Sequence, residues 1–253
     1  MRILRSPIAV LSLLAAVSFA PACQRAVYQP QARLAPVTAQ PVGKSIPDDA
    51  RATATIAPYR EKVVSQMTTV LGNAPVALTK KSGESLLSNF VADLQRTEAS
   101  KVLGRPIPLG VMTNGGLRAP IPAGPVTVGT VFELMPFENQ LVVLDAPGAV
   151  VQELFDFAAR SRMAVSGATY TVTPEGKSSA ILIGGQPFDA TRNYAIAISD
   201  YLAGGGDAMA FFKPLKPEST GLLLRNAIMD YIKEQTAQGK PIQSAIEGRV
   251  NQL

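Results

Sequence analysis

Apolar positions recur at helical spacing over residues 84–100, where Leu86, Leu87, Phe90, Val91 and Leu94 share one side and Asp93, Gln95 and Arg96 fall on the other. The same period predicts a helix over residues 148–160, with Val150, Val151, Leu154, Phe155 and Ala158 inward, and another over residues 220–235 that buries Leu224, Ala227, Ile228, Tyr231 and Ile232. A short helix near residues 58–66 leads into a β-branched run at 67–71 and an extended piece at 75–79. Short runs at residues 107–112, 140–144, 170–173, 180–183 and 194–199 read as strands, and the turn-rich Pro174-Glu175-Gly176-Lys177 joins two of them. Helices and strands interleave without the regular βαβ spacing of a doubly wound sheet. The predicted class is therefore α+β, a mixed β-sheet flanked by helices.

The N-terminal stretch follows neither period. Arg2 and Arg5 precede an apolar run over residues 7–20 that is too short, and too soon followed by proline, to cross a bilayer core of ~30 Å. Residues 1–22 read as a signal peptide. The run ends in Ala20-Pro21-Ala22-Cys23, small residues directly before the only cysteine. This resembles the bacterial lipoprotein processing site, so Cys23 is the expected lipidation site. Pro30, Pro36, Pro41 and Pro47 then recur among Gln, Ala, Thr and Val, and residues 23–52 are predicted to be a proline-rich tether, with the folded domain over residues 53–253. The expected location is an exported protein lipid-anchored to a bacterial membrane, the outer membrane facing the periplasm. A lone cysteine leaves no internal disulfide, so stability falls to the core.

Composition narrows the chemistry. The 253 residues contain no histidine. Imidazole is the commonest general base near neutral pH and the commonest transition-metal ligand. A Ser-His-Asp hydrolase, a Cys-His protease, a His-bearing zinc site and a His-ligated two-metal phosphoesterase are thus excluded for this chain alone. Neither a Ser-x-x-Lys spacing nor a Gly-x-Ser-x-Gly elbow is present. The 24 Lys and Arg against 19 Asp and Glu give a net charge of +5, but they are scattered rather than striped among aromatics, so no nucleic-acid polymer is expected as partner.

Three stretches are too polar and glycine-rich to be ordinary connectors. In Met112-Thr113-Asn114-Gly115-Gly116-Leu117-Arg118 two glycines permit a sharp turn and a close approach to a ligand, and Arg118 carries a planar fork suited to phosphate. Pro136-Phe137-Glu138-Asn139 places an aromatic ring in a loop, and residues 200–207 (Asp-Tyr-Leu-Ala-Gly-Gly-Gly-Asp) expose backbone N–H groups before the acceptor Asp207. Taken singly, the first reads as a turn with a surface arginine, the second as a core plug and the third as a flexible turn or a site.

In order, these stretches resemble the C-terminal domain of the 5′-nucleotidase family, which includes periplasmic UDP-sugar hydrolases and animal ecto-5′-nucleotidases. The resemblance runs from about Thr68 to Asp207 and, more loosely, to the C-terminus. It also takes in Gly83-Glu84-Ser85-Leu86-Leu87-Ser88-Asn89-Phe90-Val91-Ala92-Asp93, Pro122-Ala123-Gly124 and Val126-Thr127-Val128-Gly129. It implies that Phe137 and Tyr201 clamp a nucleobase, that Asn139 and Asp207 hydrogen-bond the base edge and ribose hydroxyls, and that Arg118 meets a phosphate or the ribose. Asn114 and Thr113 complete the implied substrate-binding set, Thr113 standing where the family usually has asparagine. The second ring is tyrosine where the family has phenylalanine. Lys80 and Lys81 stand near the place of a further family arginine, and Glu84 is expected in the first turn of its helix, where the dipole favours an anion.

In that family a separate N-terminal metallophosphoesterase domain, rich in His and Asp, holds two metals and cleaves the phosphoester. The resemblance therefore implies a nucleotide- or nucleoside-recognition domain of a split 5′-nucleotidase, serving nucleotide catabolism and inactive alone. No cofactor or metal is expected in this chain itself. Divalent metals are expected in a separate metallophosphoesterase subunit, and a membrane is contacted through the N-terminal lipid. The alternatives are a stand-alone nucleotide-binding lipoprotein and a degenerate structural module without ligand.

Overall fold

The computed structural model describes residues 39, 41, 43 and 45–252. The signal peptide, Cys23 and most of the predicted tether lie outside the described residues. Ala50–Leu253 form one compact unit. Its elements in chain order are α1 (Ala50–Met67), β1 (Val70–Ala74), α2 (Leu86–Leu103), β2 (Leu109–Val111), β3 (Gly124–Thr127), α3 (Val128–Leu134), β4 (Gln140–Pro147), α4 (Gly148–Ser161), β5 (Val165–Ser166), β6 (Ala168–Val172), β7 (Ser178–Ile183), β8 (Gln186–Pro187), β9 (Asn193–Ser199), α5 (Asp200–Ala203), β10 (Glu218–Leu223), α6 (Leu224–Ala237) and β11 (Val250–Gln252). The class is α+β, as expected.

The central sheet has the order β10-β4-β9-β2-β5 and is antiparallel except between β2 and β9. Period-two alternation along β4 explains its two faces. Val142, Leu144 and Ala146 pack with Val151, Leu154, Phe155 and Ala158 of α4, whereas Leu141 and Val143 face the other way, with Ala99 of α2. Within β2, Gly110 lets α2 come close, because a Cβ there would lie 2.5 Å from the Ala92 carbonyl oxygen. A second apolar cluster joins α2, α3 and α6 to the two-stranded sheet β1-β3. The remaining sheet is β11-β6-β7-β8.

Several expectations need correction. Instead of a short helix near residues 58–66, α1 begins at Ala50, inside the stretch read as tether, and carries Pro58 in its interior. Because α1 continues to Met67, the expected strand at 67–71 starts later, at Val70. In the extended piece at 75–79 only Leu78 is bridged, to Ile121. The last helix starts at Leu224 rather than residue 220, since residues 218–223 pair with β4. Gln95 is not on a solvent face: it is fully buried and donates to the Val111 carbonyl at 3.3 Å, because α2 is covered on both sides.

Glu84 also differs from its expected place. It precedes the N-cap Ser85, whose hydroxyl and that of Ser88 form a reciprocal capping box. Its carboxylate accepts from the Asn89 side-chain amide at 2.6 Å and from the Glu247 and Arg249 backbone N–H groups at 2.7 and 2.9 Å. The buried Arg249 guanidinium in turn donates to Asp93 and Glu247, each at 2.7 Å. Glu84 thus ties the C-terminal segment down before β11 joins β6 in parallel.

Candidate functional site

The topology gathers four strand ends on one rim of the central sheet. Parallel pairing aligns the C-terminal ends of β2 and β9, and antiparallel pairing brings the start of β4 and the end of β10 to the same side (Leu141 opposite Ser199, Leu223 opposite Gln140). The three polar stretches singled out in the sequence leave this rim. They enclose a pocket of about 380 Å³ lined by Thr113, Arg118, Phe137, Asn139, Tyr201 and Asp207, over an apolar floor that includes Met112, Met135 and Leu224.

Phe137 and Tyr201 come from distant parts of the chain, and their exposures of 39% and 54% show that neither ring is a core plug. The Arg118 guanidinium lies 6.0 Å from the centre of the Phe137 ring. Asn139 donates through its side-chain amide to Asp200 at 2.9 Å, which leaves its carbonyl oxygen as an acceptor. Asp207 is held from two sides: the Thr113 hydroxyl donates to one carboxylate oxygen at 2.6 Å and the Tyr201 hydroxyl to the other at 3.0 Å.

The turn that carries Asp207 is strained. Asp207 and Ala208 have φ of 49° and 65°, left-handed values that cost a non-glycine residue roughly 1–3 kcal/mol each. Gly205, at φ 91°, and Gly206 precede them, and a Cβ on Gly206 would lie 2.5 Å from the Tyr201 ring. Such strain persists only where the surroundings over-determine it.

Not every expected residue points into this pocket. Asn114 lines a smaller, adjoining hollow of about 150 Å³ that shares Met112, Thr113 and Asp207 with the pocket, and its side-chain amide donates to the Lys81 carbonyl at 2.8 Å. Lys80 supports the same loop, donating to the carbonyls of Asn114 at 3.0 Å and Leu117 at 2.5 Å. Thr113 reaches both hollows but is buried.

Sequence reasoning missed Arg225. It is buried, lies 4.2 Å from the centre of the Phe132 ring and donates to the Phe137 carbonyl at 3.3 Å. The neighbouring Leu224 N–H donates to the Asn139 carbonyl at 2.8 Å, so the start of α6 grips the Phe137 loop at two points. Nothing in the local pattern marks this arginine, since it follows a core leucine at the polar flank of an amphipathic helix.

The family described as 5′-nucleotidase, C-terminal domain, matches residues 63–214. Among curated relatives, cell wall protein Lmo0130 of Listeria monocytogenes is 30% identical over 66% of this chain and 23% of its own length. Protein UshA of Salmonella pullorum is 30% identical over 54% of this chain and 25% of its own. Among solved structures, the 5′-nucleotidase precursor from Thermus thermophilus superposes with a TM-score of 0.68 at 27% identity, covering 83% of this chain and 44% of that one. The chain thus spans less than half the length of these relatives. With the matched region covering more than half of its residues, this chain belongs to the 5′-nucleotidase C-terminal domain family.

Proposed function

We propose that this chain is the nucleotide- or nucleoside-recognition domain of a split 5′-nucleotidase, exported and anchored through Cys23, with phosphoester cleavage carried out by a separate metallophosphoesterase subunit. The observation that carries the reading is the pair of exposed rings, Phe137 and Tyr201, at one pocket with Asn139, Asp207 and Arg118. A base stacks on the rings, Asp207 and the Asn139 side-chain oxygen accept hydrogen bonds from ligand N–H or O–H groups, and Arg118 supplies positive charge for a phosphate. A two-metal centre does not fit this chain: it has no histidine, and among the described residues no group of three or more His, Cys, Asp or Glu side chains is placed to hold a metal ion.

A separate subunit needs a surface to dock on. Helix α1 offers exposed Ile56, Tyr59, Val63 and Val64 and has no buried residue, which favours the split reading over a stand-alone binder. Export accords with the relative named as a cell wall protein. None of the helices among the described residues is long and apolar enough to cross a membrane.

Calorimetric titration of the purified chain with adenosine, AMP and UDP-glucose tests recognition, and absence of heat with all three sinks it. If adenosine binds as tightly as AMP, Arg118 is not a phosphate ligand. Mixing the chain with a metallophosphoesterase subunit should raise AMP hydrolysis, and an unchanged rate with every such subunit removes the split-enzyme reading. In the same titrations Arg225→Lys should weaken adenosine binding by about 1 kcal/mol, roughly fivefold, because the shorter cation cannot hold the Phe137 carbonyl while stacked on Phe132.

A further inference from the structure

We propose that Thr113 is a positioning residue: it latches the strained turn at Asp207 and, through that carboxylate, fixes the Tyr201 ring for the ligand. The inference rests on the nucleoside reading of the pocket but assigns Thr113 a different role from the one the family resemblance implies. Thr113 is 8% exposed, and its hydroxyl hydrogen is committed to Asp207 at 2.6 Å. It therefore acts through the aspartate rather than on the ligand.

Three independent features meet at this carboxylate. Tyr201 donates to its second oxygen at 3.0 Å, and the Asp207 backbone N–H returns a bond to the Tyr201 hydroxyl at 3.3 Å, closing a ring of contacts. The backbone at Asp207 and Ala208 is left-handed, a conformation that needs outside support. Gly115 is packed so closely that a Cβ there would lie 2.9 Å from an Asp207 carboxylate oxygen, so the β2 loop and the β9 turn are fitted to one another. Thr113 and Tyr201 supply the two hydroxyls that converge on Asp207, one on each carboxylate oxygen. A side chain without a hydroxyl at either position could not make its bond, so the two act as one unit. Each carboxylate oxygen accepts one of these bonds, which leaves the remaining lone pairs as acceptors for a ligand donor. A ring held before binding loses less freedom on binding, and that is where the affinity gain arises.

Thr113→Val keeps shape and removes the donor, while Thr113→Ser keeps the donor. In titrations of the full chain with adenosine, Thr113→Val should weaken binding about tenfold and Thr113→Ser should restore it. In an Asp207→Ala background Thr113→Val should have no further effect. In the ligand-free protein, backbone ¹⁵N order parameters of residues 204–208 should fall in Thr113→Val and stay at wild-type values in Thr113→Ser, with the melting temperature of each variant checking that it folds. Unchanged order parameters in Thr113→Val overturn the latch. A tenfold loss that persists in the Asp207→Ala background overturns it as well. A wild type that binds no nucleoside defeats the pocket reading instead, and the order parameters still decide the latch.

Discussion

Phe137→Ala and Tyr201→Ala should each weaken adenosine binding by about 1–3 kcal/mol, roughly five- to 150-fold, with the fold and melting temperature nearly unchanged. Both rings are solvent-exposed at the pocket mouth, so their removal opens no core cavity. Tyr201→Phe separates stacking from hydrogen bonding: the ring survives but the bond to Asp207 does not, and the loss should be smaller than for alanine. Calorimetry with adenosine reads all three variants. Equal affinity for wild type and both alanine variants would show that the base does not lie between these rings.

Arg249→Met should lower stability by about 3 kcal/mol, a melting temperature about 6–12 °C below wild type for a domain of this size. The guanidinium is buried among Glu84, Asp93 and Glu247, and its loss leaves the Glu84 carboxylate without its nearest positive charge. Partial solvent access at Asp93 and Glu247 keeps the effect from being larger. The same cluster predicts acid sensitivity. Burial alone would raise the Glu84 carboxyl, but the Glu247 N–H, the Asn89 amide, the Arg249 N–H and the Arg249 charge hold it below its ordinary 4.5. A carboxyl depressed in the folded state contributes stability above its ordinary value and loses it as pH falls through the folded one. Hydrogen-exchange protection of residues 243–252, taken relative to the unstructured rate at each pH, should therefore fall below about pH 4.5, and Glu84→Gln should remove most of that dependence.

Legibility of the fold followed the strength of local periodicity. The helices α2 and α4 were readable because apolar residues recur on one side over several turns. Strand β10 was not, because Leu222, Leu223 and Leu224 run together and only pairing with β4 separates strand from helix. Strand β11 and its anchor were invisible because the register with β6 is set by Glu84 and Arg249, residues 165 positions apart in sequence. Thr127 with Thr130 caps the unassigned α3 as Ser85 with Ser88 caps α2, a signal present in the sequence but unused for this element.

The site was legible in its loops and opaque in its supports. Glycine pairs and misplaced aromatics marked Gly115, Gly116, Phe137 and the turn to Asp207. What holds them, Arg225 on the Phe137 carbonyl, Lys80 on the Asn114 loop and Thr113 on Asp207, depends on contacts across the sheet rim that no local pattern records.

Every pocket wall leaves the same rim of one sheet, while the cluster that fastens the C-terminus lies around the start of α2. Under the proposed function, recognition and endurance thus fall to different residues of the molecule. Loop changes at the rim can redirect what is bound without disturbing the β4–β9 register, and the scaffold can be hardened elsewhere without altering taste for a ligand.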